Sequence, residues 1–175
     1  MGQTSSNSSN GAKFDQNNMK KAVCVIGMPQ KTKVYGVIKI QELDINMVHI
    51  TGKIEGLKPG LHGFHIHKCG DLEQQCDSCC AHYNPHNRKH GGPGNIERHV
   101  GDLGNINANE QGIANIDVKD HLVNLSGPYS VIGRSFVIHE SEDDLGKGTG
   151  KLKEESLKTG NAGKRIGCGV IGISE

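Results

Sequence analysis

Residues 63–102, GFHIHKCGDLEQQCDSCCAHYNPHNRKHGGPGNIERHVGD, contain six of the ten histidines of this 175-residue chain. The stretch begins with His65 and His67, two residues apart in an apolar, strand-like run. Because side chains on a strand alternate between its faces, both imidazoles point the same way, roughly 6.5 Å apart, and can share one metal ion. The stretch ends with a further imidazole and a carboxylate, and the loop between offers more nitrogen ligands. These additional candidates are His82, His90, His99 and Asp102.

The composition outside this stretch favours a single all-β domain. A chain of 175 residues can bury one core, and no linker divides it. Three Phe, three Tyr and no Trp leave Val, Ile, Leu and Ala to fill the core, and 25 glycines indicate many tight turns rather than long helices. The formal net charge of +1 gives no overall attraction to nucleic acid or to a membrane surface.

Eight short runs rich in β-branched residues, separated by turn signals, predict eight strands of a sandwich or barrel. In the second run Val34, Ile38 and Ile40 share one face, and Lys33 and Lys39 share the other, as expected for a sheet with one covered side. The runs are KAVCVIG (21–27), KVYGVIKIQEL (33–43), NMVHITGKIEGL (46–57), LHGFHIH (61–67), VGDLGNINA (100–108), GIANIDVKD (112–120), VIGRSFVIHE (131–140) and RIGCGVIGI (165–173).

Two long segments lie between these runs. Residues 69–98 have no periodicity, and a loop of that length in a compact domain needs a function or something that orders it, which metal binding would supply. Residues 140–164, ESEDDLGKGTGKLKEESLKTGNAGK, are charged and glycine-rich. We interpret this second segment as a solvated surface loop.

The amino terminus differs from the rest of the chain. Residues 1–19 are polar and low in apolar residues, which predicts a disordered tail ahead of a domain spanning residues 20–175. The tail lacks the apolar core of a secretory signal, so we expect a cytoplasmic protein. The pattern Met-Gly-Gln-Thr-Ser-Ser also fits N-myristoylation of Gly2, which by itself gives only weak, reversible membrane binding.

Seven motifs together resemble the Cu/Zn superoxide dismutase family. They are GFHIH, RKHGGP, ERHVGDLGN, IGRSFVIHE, DDLGKG, KTGNAG and CGVIGI, which occur in the family's order between Lys20 and Glu175. The resemblance implies an eight-stranded antiparallel Greek-key β-barrel, sandwich-like, with two long functional loops. It also implies a homodimer that receives its copper from a copper chaperone.

The resemblance assigns the candidate ligands to two metals. The implied copper ligands are His65, His67, His82 and His139, and the implied zinc ligands are His82, His90, His99 and Asp102. His82 would bridge the two metals through its two ring nitrogens, and Asp143 would link ligands of both. Imidazoles suit Cu(II), and a tetrahedral set that includes a carboxylate suits Zn(II), so the residue types agree with the assignment.

The implied activity is dismutation of two superoxide anions to dioxygen and hydrogen peroxide. Copper would be alternately reduced and reoxidised, His82 would take up and release a proton, and Arg165 would hold the anionic substrate beside the copper. Zinc would be redox-silent. The alternative from another class is a copper-binding, chaperone-like or catalytically silent relative of the same fold. All the family's copper ligands and its arginine are present, which favours the enzyme.

The cysteines and the second loop depart from the family's pattern. Cys76 and Cys168 match its disulfide, but Cys79 and Cys80 are extra, and Cys69 stands where an aromatic residue often lies at the dimer contact. Pairing among the loop cysteines therefore has alternatives. The segment 147–158 is longer than is usual, and it adds two lysines, Lys151 and Lys153, that could alter substrate guidance.

Overall fold

The computed structural model describes residues 19–27, 33–44 and 46–175. Eight antiparallel strands close into a barrel in the order β1-β2-β3-β6-β5-β4-β7-β8. The strands are β1 (Lys21–Ile26), β2 (Tyr35–Asp44), β3 (Met47–Glu55), β4 (Gly60–His67), β5 (Asp102–Ala108), β6 (Ala114–Asp120), β7 (Ser135–His139) and β8 (Arg165–Ser174). Because β3 is followed along the chain by β4 but paired with β6, the connections are of the Greek-key type. The predicted fold class is confirmed.

The alternation along the strands decides which side chains fill the barrel. In β2, Ile38 and Ile40 are buried in the core, whereas the intervening Lys39 is exposed. In β4, Phe64 points into the core and stacks on Phe136 of β7, with ring centroids 5.1 Å apart. The barrel interior is therefore aliphatic with two stacked rings, and every second residue of β4 and β7 is left for the outer face.

The two long loops cover the outer face of β4 and β7. The loop 68–101 contains a 3-10 turn, Gln75–Cys79, and the disulfide Cys76–Cys168 attaches it to β8. The loop 140–164 contains a 3-10 turn, Gly150–Leu152, and one helix, α1 (Lys153–Thr159). The His90 amide donates to the Leu157 carbonyl of α1 at 2.9 Å and so joins the two loops. The interpretation of residues 140–164 as a solvated surface loop did not include this helix.

The amino-terminal predictions lie outside the described residues. Of the predicted tail, residues 1–19, the structure describes only residue 19. The disordered tail and the acylation of Gly2 therefore stay predictions. Within the described part of the chain, no helix has the length and apolar character needed to cross a bilayer.

Candidate metal centre

Strand alternation places the first histidines beneath the loops. Since Phe64 and Ile66 enter the barrel core, His65 and His67 lie on the opposite face of β4, where the loops bury both. Beside β4, the last residue of β7 is His139, also buried. An isolated β-bridge between His67 and His82 brings the first loop back against this strand end. One short strand end thus gathers four imidazoles from three separate segments of the sequence.

The four-histidine cluster consists of His65, His67, His82 and His139, with one ring nitrogen of each within 4.8 Å of the others. Burial, followed by the neighbouring His82 and His139 imidazoles, lowers the pKa of His65 well below its usual range. Burial also lowers the pKa of His67, and it lowers that of His139 to about 4. The cluster is therefore uncharged at neutral pH, and each ring keeps one nitrogen lone pair.

Hydrogen bonds settle which nitrogen carries the lone pair. His67 donates from Nδ1 to the Cys80 carbonyl at 2.8 Å, and His139 donates from Nδ1 to the Gly163 carbonyl at 3.0 Å. Their Nε2 atoms are left facing each other at 3.4 Å, two acceptors with no proton between them. His65 Nδ1 is likewise buried without a hydrogen-bond partner. Three inward-facing lone pairs fit a cation such as copper and would repel one another without it.

The Asp102 cluster consists of His82, His90, His99 and Asp102. The Nδ1 atoms of the three histidines lie 2.9, 3.0 and 3.1 Å from the same carboxylate oxygen, Oδ1 of Asp102. One carboxylate oxygen cannot accept good hydrogen bonds from three buried imidazoles, and His90 Nδ1 has no hydrogen-bond partner. Three nitrogens and one oxygen converging in this way are a donor set suited to a tetrahedral zinc ion.

Charge distinguishes this second cluster from the first. Burial would raise the pKa of Asp102, but the close imidazoles of His82, His90 and His99 outweigh it and hold the pKa far below its usual range. Burial would lower the pKa of His90, yet Asp102 and Asp143 together raise it to about 9. Without metal, the cluster is therefore a buried ion pair around an ionised carboxylate.

Asp143 connects the two clusters. Its Oδ2 accepts from His65 Nε2 at 2.8 Å, and its Oδ1 accepts from His90 Nε2 at 2.8 Å. Asn105 on β5 holds the backbone of Asp143 from both sides, through Asp143 N at 2.8 Å and Asp143 O at 2.9 Å. Asp143 was among the predicted site residues, but Asn105 was not, although it ends the ERHVGDLGN motif, because its position in a strand gives no sign of this contact. The carboxylate orients one ring of each cluster.

A cavity of about 610 Å³ leads to the four-histidine cluster and ends at His67, His82 and His139. Arg165, at the start of β8, lines it together with Lys158. The Arg165 guanidinium is held by the backbone carbonyls of residues 76, 77 and 80. A fixed cation at the floor of a cavity can hold a small anion beside the imidazoles.

The remaining sequence candidates divide between this site and the surface. Cys76 and Cys168 are bonded to each other, as the resemblance implies, and a second bond that no motif signalled joins Cys69 to Cys80. Lys151 and Lys153 are exposed and do not line the cavity. His49, His86 and His121 belong to neither cluster.

Arg98 was not among the predicted site residues, yet it is buried although its sequence neighbours are charged and polar. Its guanidinium donates to the Asp102 carbonyl at 2.6 Å and forms an ion pair with the Asp120 carboxylate at the end of β6. The backbone of Asp102 is thereby tied to the barrel wall. An arginine beside a histidine in a loop gives no pattern from which such burial could be predicted.

The chain is similar to proteins of one family. A sequence model described as copper/zinc superoxide dismutase (SODC) matches residues 34–171. An extracellular superoxide dismutase [Cu-Zn] of Brugia pahangi is 55% identical over 141 residues, covering 81% of this chain and 70% of that protein. An extracellular superoxide dismutase [Cu-Zn] of Onchocerca volvulus is 48% identical, covering 90% and 78%. Superoxide dismutase [Cu-Zn] A of Xenopus laevis is 51% identical, covering 89% and 99%.

With its barrel, its two histidine clusters and these similarities, the chain belongs to the copper/zinc superoxide dismutase family. It is an oxidoreductase that converts two superoxide anions to dioxygen and hydrogen peroxide, and its cofactors are copper and zinc.

The expectation of a cytoplasmic protein is contradicted by the relatives from Brugia pahangi and Onchocerca volvulus, which are named extracellular. That expectation depended on the amino-terminal residues, which lie outside the described part of the chain. The two disulfides are also more typical of an oxidising compartment than of the cytosol.

Proposed function

We propose that the four-histidine cluster binds the copper and that the Asp102 cluster binds the zinc, with His82 shared between them. The observation that carries this assignment is the pair of facing acceptors, His67 Nε2 and His139 Nε2, beside the unpartnered Nδ1 of His65. The Asp102 cluster has the carboxylate that zinc accepts, whereas the four-histidine cluster has nitrogens alone. Bound copper supplies the one-electron chemistry, and bound zinc is redox-silent.

In this assignment the protein's own groups bind the substrate and deliver the proton. Arg165 attracts superoxide to the floor of the cavity and holds it at the guanidinium. Reduction to hydrogen peroxide consumes protons, and His82 is placed to supply one from Nε2 because its Nδ1 is committed to the Asp102 cluster. Asp143 keeps His65 and His90 in fixed orientations throughout.

A metal-content and activity measurement tests the proposal. The purified protein should contain one copper and one zinc per chain and produce peroxide from superoxide. His67→Ala should lose copper and keep zinc, and His99→Ala should lose zinc first, because each residue belongs to one cluster only. Loss of the same metal from both variants would contradict the assignment.

We further propose that the protein acts outside the cell as a homodimer. Its two extracellular relatives and its two disulfides support the location. The half-exposed Val25 of β1 and Val170 of β8, with the exposed Ile173, offer an apolar surface that a second copy could cover. Sedimentation of Val25→Lys and Val170→Lys variants tests the dimer, which should dissociate to monomers.

A copper chaperone stays a proposal that rests on the family resemblance and on the burial of the copper ligands. His65 is fully buried, and the cavity reaches the other copper ligands without including it among its lining residues. Copper uptake by the metal-free protein from free ion, compared with uptake from a copper-loaded donor protein, tests whether delivery is needed.

A further inference from the structure

The position of Arg165 depends on backbone carbonyls of the first loop. Its NH1 donates to Cys76 O at 2.8 Å and to Asp77 O at 3.2 Å, and its NH2 donates to Cys80 O at 2.6 Å. We call these three acceptors the carbonyl clamp. Among the hydrogen bonds of the described residues, Arg165 makes none to a carboxylate, so its full charge is available to an anion. The clamp is only as fixed as the loop that carries it.

Each end of the carbonyl clamp is a half-cystine. Cys76 is bonded to Cys168 of β8, three residues beyond Arg165, and both sulfurs belong to buried residues. Cys80 is bonded to Cys69, which follows β4, and Cys80 is exposed. The Cys76–Cys168 bond attaches the clamp to β8, the strand that carries Arg165. The Cys69–Cys80 bond attaches it to the end of β4, the strand that carries His65 and His67. The two bonds differ most in their access to solvent.

The Cys80 end serves two functional side chains at once. Besides Arg165, the Cys80 carbonyl accepts the proton of His67 Nδ1 at 2.8 Å, which orients the ring and directs its Nε2 inward. Two ladder bonds flank it, Lys68 N to Ala81 O at 2.8 Å and Cys69 N to Cys79 O at 3.1 Å. A rotation of this one peptide group would release both the guanidinium and the imidazole.

The backbone at Cys80 is held in an unfavourable conformation. Its φ of 65° and ψ of −159° lie in a region that side-chain-bearing residues rarely occupy. Such a conformation persists only when the surroundings constrain it. The side chain of Cys80 is exposed, so packing supplies little of this constraint. Hydrogen bonds of the flanking residues and of the Cys80 carbonyl constrain the conformation, and the covalent link to Cys69 adds to them.

We propose that the Cys69–Cys80 disulfide is a positioning element of the active site, which holds the Cys80 carbonyl where it fixes both Arg165 and His67. This inference rests on the proposed roles of those two residues. With the disulfide open, the Cys80 backbone relaxes, its carbonyl turns away, and the guanidinium keeps only its contacts at the other end of the clamp. Anion affinity then falls, copper is held less tightly because His67 loses its orienting hydrogen bond, and zinc stays bound.

The first test compares the copper- and zinc-loaded double variant Cys69→Ala/Cys80→Ala with wild type. Losing one charge-assisted hydrogen bond at Arg165 predicts a dissociation constant for azide, a small probe anion, that rises about threefold to tenfold. The second-order dismutation rate should fall by a similar factor. Gln74→Ala, a change at an exposed residue of the same loop, is the matched control and should leave both values unchanged.

A second readout uses the same copper- and zinc-loaded proteins. Amide hydrogen exchange at residues 68 and 69 should accelerate in the double variant, because their acceptors lie in the segment that the disulfide restrains. Exchange at Gly91 and His99, whose amides donate to the Asp102 carboxylate, should stay at the wild-type rate. A lower melting temperature with unchanged azide affinity would show a stabilising disulfide with no positioning role, and would overturn the inference.

Mild reduction of the copper- and zinc-loaded wild-type protein is a third test, and it does not depend on whether the double variant folds. The exposed bond should open first, and alkylation followed by mass spectrometry should find Cys69 and Cys80 modified with Cys76–Cys168 intact. Weaker azide binding in this species supports the proposal, and unchanged binding overturns it. A wild-type protein without dismutase activity would instead refute the proposed function, so the two failures are distinguishable.

Discussion

The four-histidine cluster and the Asp102 cluster share His82 but differ in charge and in access. The first contains only neutral imidazoles and opens on the cavity that holds Arg165. The second surrounds an ionised, buried carboxylate and includes His90, whose pKa is raised to about 9. The four-histidine cluster, which faces the cavity, is neutral and has its charge in the neighbouring Arg165. The Asp102 cluster, which lies under the loop, contains the charge among its own residues.

The largest expected effect separates the clusters by activity. His139→Ala removes an imidazole that belongs to the four-histidine cluster alone, so we expect copper binding to weaken strongly and dismutation to fall at least about 100-fold. Zinc content should stay at one per chain. Metal analysis by mass spectrometry and a superoxide assay measure both.

His49→Ala is the matched control for this change, because the His49 side chain lies outside both clusters and contacts the exposed Asp117 across β3 and β6. It should keep wild-type metal content and activity. Full copper occupancy in His139→Ala, or zinc loss equal to the copper loss, would mean that the clusters are not independent sites.

The second expected effect concerns the Asp102 cluster. Asp102→Ala removes the one oxygen on which three Nδ1 atoms converge, and with it the acceptor for the Gly91 and His99 amides. Zinc affinity should fall about 100-fold or more, and the loop 68–101 should lose protection from amide exchange. Thermal unfolding of the zinc-loaded protein should occur at a lower temperature.

Asp117→Ala provides the control for that variant, since it also deletes an aspartate but on the exposed face of β6. Unchanged zinc affinity in Asp102→Ala would exclude Asp102 as a ligand. Unchanged exchange in the loop would show that the disulfides, rather than the metal, order it.

How much the sequence could predict is clearest in β4. Its alternation predicted that His65 and His67 share a face, and the structure adds that Phe64 and Ile66 fill the core beneath them. Runs rich in β-branched residues predicted eight strands of a sandwich or barrel, and the resemblance to the family implied the Greek-key barrel that the structure shows. The period of two reports only which residues share a face. The resemblance to the family, and not the period, supplied the ligand sets.

The features that the sequence could not predict depend on contacts between distant segments. Three loop cysteines within five residues allow several pairings, and only the three-dimensional course of the loop brings Cys80 to Cys69. Helix α1 has seven residues, lies in a glycine-rich charged segment and buries only Ser156, so its amphipathic signal is negligible. Burial of Arg98 depends on Asp120, which comes from another strand.

The third expected effect sharpens the contrast in charge by reversing it at the cavity. Arg165→Glu places a carboxylate where the clamp holds a guanidinium, so we expect the second-order rate to fall at least about tenfold. Pulse radiolysis measures the rate, and its dependence on ionic strength should change sign or vanish. Lys158→Glu should cost less, because Lys158 is exposed and already paired with Glu154 at 2.7 Å. A rate indifferent to Arg165 would show that capture is not guided by this charge.

The smallest expected effect concerns the lysines of the lengthened second loop. Lys151 and Lys153 are exposed at the start of α1 and do not line the cavity, so their charges reach the substrate only through solvent. At physiological ionic strength the Debye length is about 8 Å, which screens such charges far more than it screens a guanidinium on the cavity floor. We expect Lys151→Glu combined with Lys153→Glu to slow capture by only about twofold at that ionic strength, and by more at low salt. Pulse-radiolysis rates across a salt series decide the matter, with Lys151→Gln and Lys153→Gln separating loss of positive charge from gain of negative charge. A loss from the double glutamate variant larger than that from Arg165→Glu would place substrate guidance in the second loop, and the cavity arginine would then serve to hold the anion rather than to attract it.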